Sequence, residues 1–212
     1  MIKDSLDVRF NEIAATCSWF KSYGLVSHLI DRFKTTSVVE VGVAYGFHAK
    51  FLCENHSDLE YIGVDPYVPG YDPDDAFERD VRRHFESPTA AQSFDRLYTA
   101  VLARLNRHKN ASLLRMTSNA ASMCLLEFNT QPQLVYLDGS HKFDAVLDDL
   151  NKWWPIVKHG GVLCGDDFTW PGVRGAVEVF AKERNVKCRF VAKQDRQDFP
   201  LYYFEKGDAK ET

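Results

Sequence analysis

Three aspartates follow two short apolar runs that are predicted to be neighbouring strands of one sheet. Asp138 comes directly after the run 134–137, and Asp166 and Asp167 follow the run 161–165. Because the carboxyl ends of adjacent parallel strands meet at one edge, we expect the three carboxylates to crowd together. Like charges at close range raise one another's pKa unless a cation lies between them. The all-oxygen set predicts a divalent metal site, with Mg²⁺ favoured and Ca²⁺ or Mn²⁺ as alternatives.

A second candidate site lies in the segment 38–46, which reads Val-Val-Glu-Val-Gly-Val-Ala-Tyr-Gly. A strand that runs into a glycine loop and then a helix brings backbone close to a ligand, and Gly42 and Gly46 permit that approach. The three-glycine pyrophosphate fingerprint is absent, so a ligand without phosphates fits better. Asp65 ends the next strand, where an acidic side chain accepts hydrogen bonds from ribose hydroxyls. The pattern predicts a nucleoside site.

The elements that position these residues alternate along the chain. Apolar runs at 38–41, 61–64, 113–115, 134–137 and 161–165 predict strands, and helical spacing predicts helices from about residue 47 and at 143–154 and 173–184. This alternation predicts an α/β fold, a Rossmann-like doubly wound sheet that is mostly parallel, with helices on both faces. The runs 188–191 and 201–204 leave no room for a crossover helix, so they predict a hairpin that adds one antiparallel strand near the C-terminus.

Two segments depart from this alternation of strands and helices. Residues 1–35 carry apolar side chains at helical spacing, including Phe20, and an interruption at Gly24 predicts two N-terminal helices. Residues 67–110 insert a Pro/Gly/Asp segment and two helical stretches before the third strand, and we expect a helical cap at the ligand-bearing edge. At 212 residues, the chain 1–212 is predicted to be a single domain.

Composition narrows the class of partner. The formal charge of -4 provides no general attraction to nucleic acid or to anionic lipid, so we expect a small-molecule partner and neither nucleic acid nor membrane. The N-terminal apolar stripe is broken by charges and suits neither a signal peptide nor a membrane span, so the cytoplasm is the expected location. The five cysteines lack zinc or redox spacing and are expected to be reduced and mostly buried: Cys17, Cys53, Cys124, Cys164 and Cys188.

Two groups of motifs resemble known families. The segment 40–46 followed by Asp65 resembles the nucleoside-binding motifs of class I S-adenosylmethionine-dependent methyltransferases. The segment 134–180 is similar to the bacterial metal-dependent O-methyltransferase family that includes macrocin-type and aminocoumarin-sugar enzymes. It carries Leu-Val-Tyr-Leu-Asp-Gly-Ser-His, Asp-Asp-Leu, Trp-Trp-Pro, Gly-Gly-Val-Leu, Gly-Asp-Asp and Pro-Gly-Val-Arg in that order. Together the two resemblances cover roughly residues 38–184, without the segment 67–110.

The resemblance implies a residue set for the cofactor and for Mg²⁺ or another divalent cation. The adenine is expected near 117–119, although these polar residues also suit an ordinary helix N-cap. The cofactor set is Glu40, Gly42, Tyr45, Gly46, Asp65, Ser118, Asn119 and Asp138. The metal set is Asp138, Asp166 and Asp167.

A departure from the family bears on the catalytic base. Sugar-modifying members tend to carry an aspartate two residues after the first metal ligand, and this chain has Ser140 there. His141 takes the position where catechol O-methyltransferases place a basic lysine. Because imidazole titrates near neutrality, His141 is the predicted general base. The alternative interpretations are a loop cap for Asp138, a polar helix start for His141 and a solvated turn for Asp166 and Asp167.

The predicted activity is metal-assisted methylation of a hydroxyl group on a sugar, phenol or natural-product intermediate. The alternatives are a metal-independent N- or C-methyltransferase and a non-catalytic adenosylmethionine-binding module. The resemblance also allows a homo-oligomer, with the N-terminal helices as the candidate surface. On the acceptor side, Tyr67, Tyr71, Phe168 and Trp170 are candidates for an aromatic wall and Arg79, Arg82, Arg83 and His84 for a basic face. The alternatives for these groups are core packing and a solvated helix face.

Overall fold

The computed structural model describes residues 2–16, 23–71, 76–193 and 196–207. Phe20 and Cys17 lie outside the described residues. The elements in chain order are α1 (Ile2–Thr16), α2 (Tyr23–Phe33), β1 (Ser37–Val41), α3 (Phe47–Asn55), β2 (Glu60–Val64), α4 (Phe77–His84), α5 (Ala90–Leu105), β3 (Ala111–Leu114), α6 (Ser118–Glu127), β4 (Leu134–Leu137), α7 (Phe143–Trp153), β5 (Val162–Gly165), α8 (Pro171–Glu183), β6 (Arg189–Lys193) and β7 (Arg196–Glu205).

The strands form one seven-stranded sheet in the order β3-β2-β1-β4-β5-β7-β6. The first five strands of this order pair in parallel, whereas β7 runs antiparallel to both β5 and β6. The predicted sheet, mostly parallel with one reversed strand from a C-terminal hairpin, is therefore confirmed. The strand order reverses beside β1, which pairs with both β2 and β4, and this is where open α/β sheets bind ligands.

The register brings the strand ends to one level. Val41 pairs with both Val64 and Leu137, and Leu137 pairs with Gly165. The residues that follow these strands, including Asp65, Asp138 and Asp166, therefore emerge at the same edge of the sheet.

Helices cover both faces of the sheet. Because side chains alternate along a strand, Val38 faces one apolar cluster and Val39 faces the other. The first cluster includes side chains of α2, α3 and α5, and the second includes side chains of α6, α7 and α8. The buried strands carry apolar residues on both sides, as a sheet covered on both faces requires.

The segment 67–110 contains α4 and α5. Thr89 begins α5 with a capping box, in which its side chain accepts from the Gln92 backbone N–H and Gln92 reaches back to Thr89. Leu97 and Val101 of α5 are fully buried in the first cluster, so α5 packs on the sheet as the crossover helix between β2 and β3. That this segment also closes over a ligand stays a prediction.

Four cysteines lie in the described ranges, and all four are free thiols. Cys53 and Cys164 are buried, whereas Cys124 and Cys188 are only partly buried. None of the helices in the described ranges combines the length and the apolar character that crossing a membrane requires.

Candidate functional site

The predicted carboxylates converge at the ends of β4 and β5. One ligand atom each of Asp138, His141 and Asp167 lies within 4.8 Å of the other two, and all three residues are partly buried. Asp166 adjoins this group, with Oδ1 accepting from the Asp167 backbone N–H at 2.7 Å. The structure thus brings the three predicted carboxylates together and places His141, predicted as a base, among them.

Tyr136 is a site residue that the sequence interpretation missed. Its hydroxyl lies 3.1 Å from Oδ2 of Asp138 and 3.3 Å from Oδ2 of Asp166. A phenol has one hydrogen, so it donates to one of these carboxylates at a time. The signal was available, because Tyr136 stands two residues before Asp138 at the end of the same strand and so faces the same side of the sheet.

The environment of Asp138 disfavours an uncompensated negative charge. Burial raises the pKa of Asp138 well above its ordinary value, the charges of Asp166, Asp167 and Glu40 raise it further, and the bond from Tyr136 lowers it. Such a carboxylate either keeps its proton or gains a neighbouring cation. The site combines convergent oxygen and imidazole ligands with a negative charge that lacks compensation. This combination fits a divalent cation.

His141 is held by contacts on two sides. Its Nε2 lies 2.8 Å from Oδ2 of Asp167, and its ring stacks on Trp170 with a centroid distance of 4.7 Å. Gly172, at the start of α8, packs so closely that an added Cβ would lie 2.4 Å from the carbonyl oxygen of His141. Asp167 has a φ of 55°, a left-handed conformation that is strained for a residue other than glycine. The contacts with Asp167 and Trp170 therefore orient the imidazole beside the acidic group.

The two loop glycines allow close packing within the protein. Gly42 has a φ of 93°, and an added Cβ would lie 2.0 Å from the carbonyl oxygen of Asp138. Gly46 has a φ of 66°, and an added Cβ would lie 2.7 Å from a methyl carbon of Val101 on α5. Glycine is therefore required at both positions because the end of β4 and α5 pack closely against the loop. A ligand that approaches the loop would add to this requirement.

Asp65 connects the loops that follow β1 and β2. Its two carboxylate oxygens accept from the backbone N–H groups of Ala44 and Tyr67 at 2.9 and 2.8 Å. The Tyr67 hydroxyl donates to the Ala44 carbonyl oxygen at 2.9 Å. Burial raises the pKa of Asp65 to about 6, although these amide bonds lower it. Asp65, the predicted ribose acceptor, thus also stabilises the conformation of the glycine loop.

Glu40 and Tyr45 lie beneath the loop. Glu40 is 2% exposed and accepts from the Tyr61 hydroxyl at 2.7 Å, while Nδ1 of His48 lies 3.3 Å from its other oxygen. Tyr45 is equally buried and packs among aromatic rings that include Phe85. The structure places both predicted cofactor residues inside the core, where they support the loop.

The side chain of Ser118, at the start of α6, is engaged within the protein. Its hydroxyl donates to Oδ1 of Asp149 at 2.5 Å and accepts from Nε1 of Trp153 at 2.8 Å. Thr117 caps the helix by accepting from a backbone N–H, and Asn119 is exposed. Asp149 was not predicted as a site residue, and it lines the same pocket as Asp138.

The predicted acceptor-side residues divide into different environments. Trp170 and Tyr71 are exposed over 51% and 55% of their surfaces, whereas Tyr67 is fully buried and Phe168 packs against other rings. The arginines of α4 are exposed, and His84 is partly buried beside Tyr45. Only Trp170 and Tyr71 retain the exposure that an acceptor wall needs, and the arginines form a solvated helix face.

Comparison with known protein families shows which domain this chain matches. A family profile described as a methyltransferase domain matches residues 39–168. No curated relative matches the chain at a significant level.

Solved structures share the fold at low identity. CalS11, a TDP-rhamnose 3'-O-methyltransferase of calicheamicin biosynthesis, is 15% identical with a TM-score of 0.61, over 88% of this chain and 80% of that one. An O-methyltransferase from Bacillus cereus in complex with SAH is 12% identical with a TM-score of 0.58, over 96% and 91%. A precorrin-6y C5,15-methyltransferase from Geobacter metallireducens is 11% identical with a TM-score of 0.53, over 84% of each chain. These likenesses establish the fold.

Proposed function

The chain belongs to the methyltransferase-domain family whose profile matches residues 39–168, and we propose that it methylates a hydroxyl group of a small molecule with the help of a divalent cation. It is an S-adenosylmethionine-dependent methyltransferase, and the proposal concerns the acceptor atom and the metal. The observation that carries it is the convergence of Asp138, His141 and Asp167 within 4.8 Å at the sheet edge beside the glycine loop.

The cofactor is proposed to lie across the ends of β1, β2 and β4. S-adenosylmethionine supplies an electrophilic methyl group on its sulfonium. The loop from Gly42 to Gly46 borders this space, and Asp65, whose carboxylate is already oriented by Ala44 and Tyr67, is the proposed ribose acceptor. Each carboxylate oxygen has two acceptor positions, so the backbone bonds leave capacity for hydroxyl donors.

Asp138, Asp166 and Asp167 are the proposed metal ligands, with His141 close enough to substitute for one of them. A bound divalent cation supplies a charge that orients the acceptor oxygen and favours its deprotonated form. The raised pKa of Asp138 supports this assignment, because the site without a cation must neutralise the crowded carboxylates with a proton.

His141 is the proposed general base. The contact with Asp167 and the stacking on Trp170 orient the imidazole, so that the ring accepts the hydroxyl proton directly or through a water. Correct orientation matters because methyl transfer requires the acceptor oxygen to align with the methyl–sulfur bond. The same contacts hold the acceptor side of the pocket in one arrangement.

Metal-independent transfer to nitrogen or carbon is the second candidate, since the fold is shared with a precorrin C5,15-methyltransferase. In that case the aspartates would only shape the pocket, and a chelator would leave the rate unchanged. Self-association, a cytoplasmic location and the lack of a nucleic-acid partner also stay predictions.

Calorimetric titration with S-adenosylmethionine, with and without Mg²⁺, tests the proposed function first. A screen of hydroxylated sugars and phenols then follows, with release of S-adenosylhomocysteine as the readout and EDTA as the paired condition. We expect turnover that EDTA abolishes and Mg²⁺ restores. Equal turnover in both conditions would reject the metal-assisted mechanism while leaving methyl transfer intact.

A further inference from the structure

The helix α6 carries apolar residues on two opposite faces. Ala121 and Leu125 are buried in the second cluster, whereas Met123 and Leu126 are exposed over 63% and 59% of their surfaces. The segment 118–126 contains no charged residue. A helix at the surface of a globular protein normally carries charged and polar side chains on its outer face, and a helix that is apolar all round is normally buried. The outer face of α6 is therefore expected to be covered by another surface.

The exposed residues of α6 form a row along one side of the helix. They are spaced three or four residues apart, which places them next to one another on the helix surface, and they are Asn119, Ala120, Met123, Leu126 and Glu127. Met116, before the helix, and Phe128, at its end, are also exposed. We call these seven residues the α6 stripe. Four of the ten large apolar side chains that are exposed in the described ranges belong to it.

The α6 stripe is large enough to form the centre of an interface. A large apolar side chain has about 150–250 Å² of surface, so the exposed parts of Met116, Met123, Leu126 and Phe128 amount to roughly 400 Å². Exposed apolar patches of this size mark interaction sites. A stable dimer buries about 800 Å² on each copy, with an apolar centre inside a polar rim. The four apolar side chains supply such a centre.

The charge distribution of α6 favours a second copy of this chain, packed antiparallel. Glu127 is the last residue of the helix, and the last turn contains no basic residue. Its negative charge therefore lies at the negative end of the helix dipole, where it is unfavourable. An antiparallel second α6 brings its positive, amino-terminal end towards Glu127. Met123 stands midway between Asn119 and Glu127, so a two-fold axis at Met123 gives both copies this arrangement.

The N-terminal helices present less surface of this kind. Phe10 and Ile13 of α1 and Leu29 of α2 are buried in the first cluster. Among the described residues of these two helices, Val8 is the large apolar side chain that is exposed, over 56% of its surface. Val8 therefore provides a control position whose exposure is similar to that of Met123.

We propose that the α6 stripe is the interface of a two-fold homodimer, in which the α6 helices of two copies pack antiparallel across Met123. The same stripe on both copies forms the interface, as two-fold symmetry requires. The proposal does not depend on the acceptor atom or on the metal.

Sedimentation equilibrium over the micromolar range tests the proposal, with wild-type protein expected to form a dimer. Met123→Glu and Met123→Lys should each weaken association at least about 100-fold, because two like charges would face each other across the axis. An equimolar mixture of the two variants should form a dimer again, since opposite charges then meet. Val8→Glu is the matched control and should associate as the wild-type protein does.

The other results would each overturn the proposal. Wild-type protein that stays monomeric over the whole range has no such interface, and a Met123→Glu variant that dimerises normally has its interface elsewhere. Loss of the dimer in Val8→Glu would place the interface on α1. A mixture of the two Met123 variants that stays monomeric would show that these side chains do not meet across an axis.

Discussion

Nε2 of His141 lies 2.8 Å from Oδ2 of Asp167, so the loop after β4 and the loop after β5 are joined across the edge of the sheet. The contact couples the proposed base to a proposed metal ligand. A change in either residue should therefore affect both proton removal and ion binding. Cofactor binding should change little, because the cofactor loop follows a different strand, β1.

His141→Gln should lower kcat by roughly 10²- to 10⁴-fold, because the glutamine keeps a polar group at the site but does not take up a proton. Affinity for S-adenosylhomocysteine should change by less than about twofold. Steady-state kinetics and calorimetry measure the two quantities. His159→Gln, at an exposed position, is the control. A His141→Gln enzyme with wild-type kcat would remove His141 from the mechanism.

Asp166→Ala should abolish methyl transfer while it largely spares cofactor binding. Asp166 follows β5 and contacts the Tyr136 hydroxyl and the Asp167 backbone, away from the glycine loop. Turnover assays with and without EDTA, paired with calorimetry, check this. Retained, chelator-resistant turnover in the variant would show that the carboxylate group is not a metal site.

Tyr136→Phe should lower the free energy of unfolding by about 1–3 kcal/mol in EDTA, because the crowded Asp138 and Asp166 lose a hydrogen-bond donor. Added Mg²⁺ should stabilise the variant more than the wild-type protein, since the ion then supplies the missing compensation. Urea denaturation with EDTA or Mg²⁺ measures both effects. Equal stability of the two proteins in EDTA would mean that the hydroxyl does not compensate the carboxylates.

Asp65 should make stability fall as pH rises. Burial raises the pKa of Asp65 to about 6 in the folded protein from an ordinary value of 3.8, so the folded state holds this proton more tightly than the unfolded state. The contribution is full below about pH 4 and is lost, on the order of 3 kcal/mol, as pH rises through about 6. Asp65→Asn removes it, so the variant's unfolding free energy should decline less steeply from pH 4 to 7. Parallel pH profiles for the two proteins would contradict this.

Gly42→Ala should be strongly destabilising, by about 3 kcal/mol or more, because the new Cβ would collide with the carbonyl of Asp138 in a left-handed backbone. Gly70→Ala is the matched comparison, with a φ of 70° and no atom within 4 Å of the added Cβ. It should cost about 1–2 kcal/mol from backbone strain alone. Chemical denaturation of the two variants gives the difference, and similar losses would show that β4 can move away from the loop.

The strand-end carboxylates were predictable because they depend on local sequence. Asp138 and Asp166 each follow a short apolar run, and parallel strands deliver their ends to one edge. The sequence interpretation placed the strands that end before Asp138 and Asp166 next to each other, and β4 does pair with β5. The position of Tyr136 in the site could also have been predicted, because Tyr136 stands two residues before Asp138.

Other features depend on tertiary contacts that no local pattern encodes. Ser118 and Asp149 are 31 residues apart, and their contact depends on how α6 packs against α7. Gly42 in the sequence suggests a ligand-binding loop. In the structure, the atoms that would collide with a side chain at this position belong to the backbone that follows β4. The helical stripe of Leu97 and Val101 indicates core packing, which makes α5 a sheet-covering helix within the segment predicted as a cap.

Whether the carboxylates at the ends of β4 and β5 bind a divalent cation can be measured by titrating Mn²⁺ into protein saturated with S-adenosylhomocysteine, with wild-type protein and Asp138→Asn compared by calorimetry. Wild-type protein should bind a single ion, and the variant should bind it at least about tenfold more weakly, since a charged ligand is lost. Identical binding by both proteins, or no binding by the wild type up to millimolar Mn²⁺, would show that Asp138 is not part of a metal site.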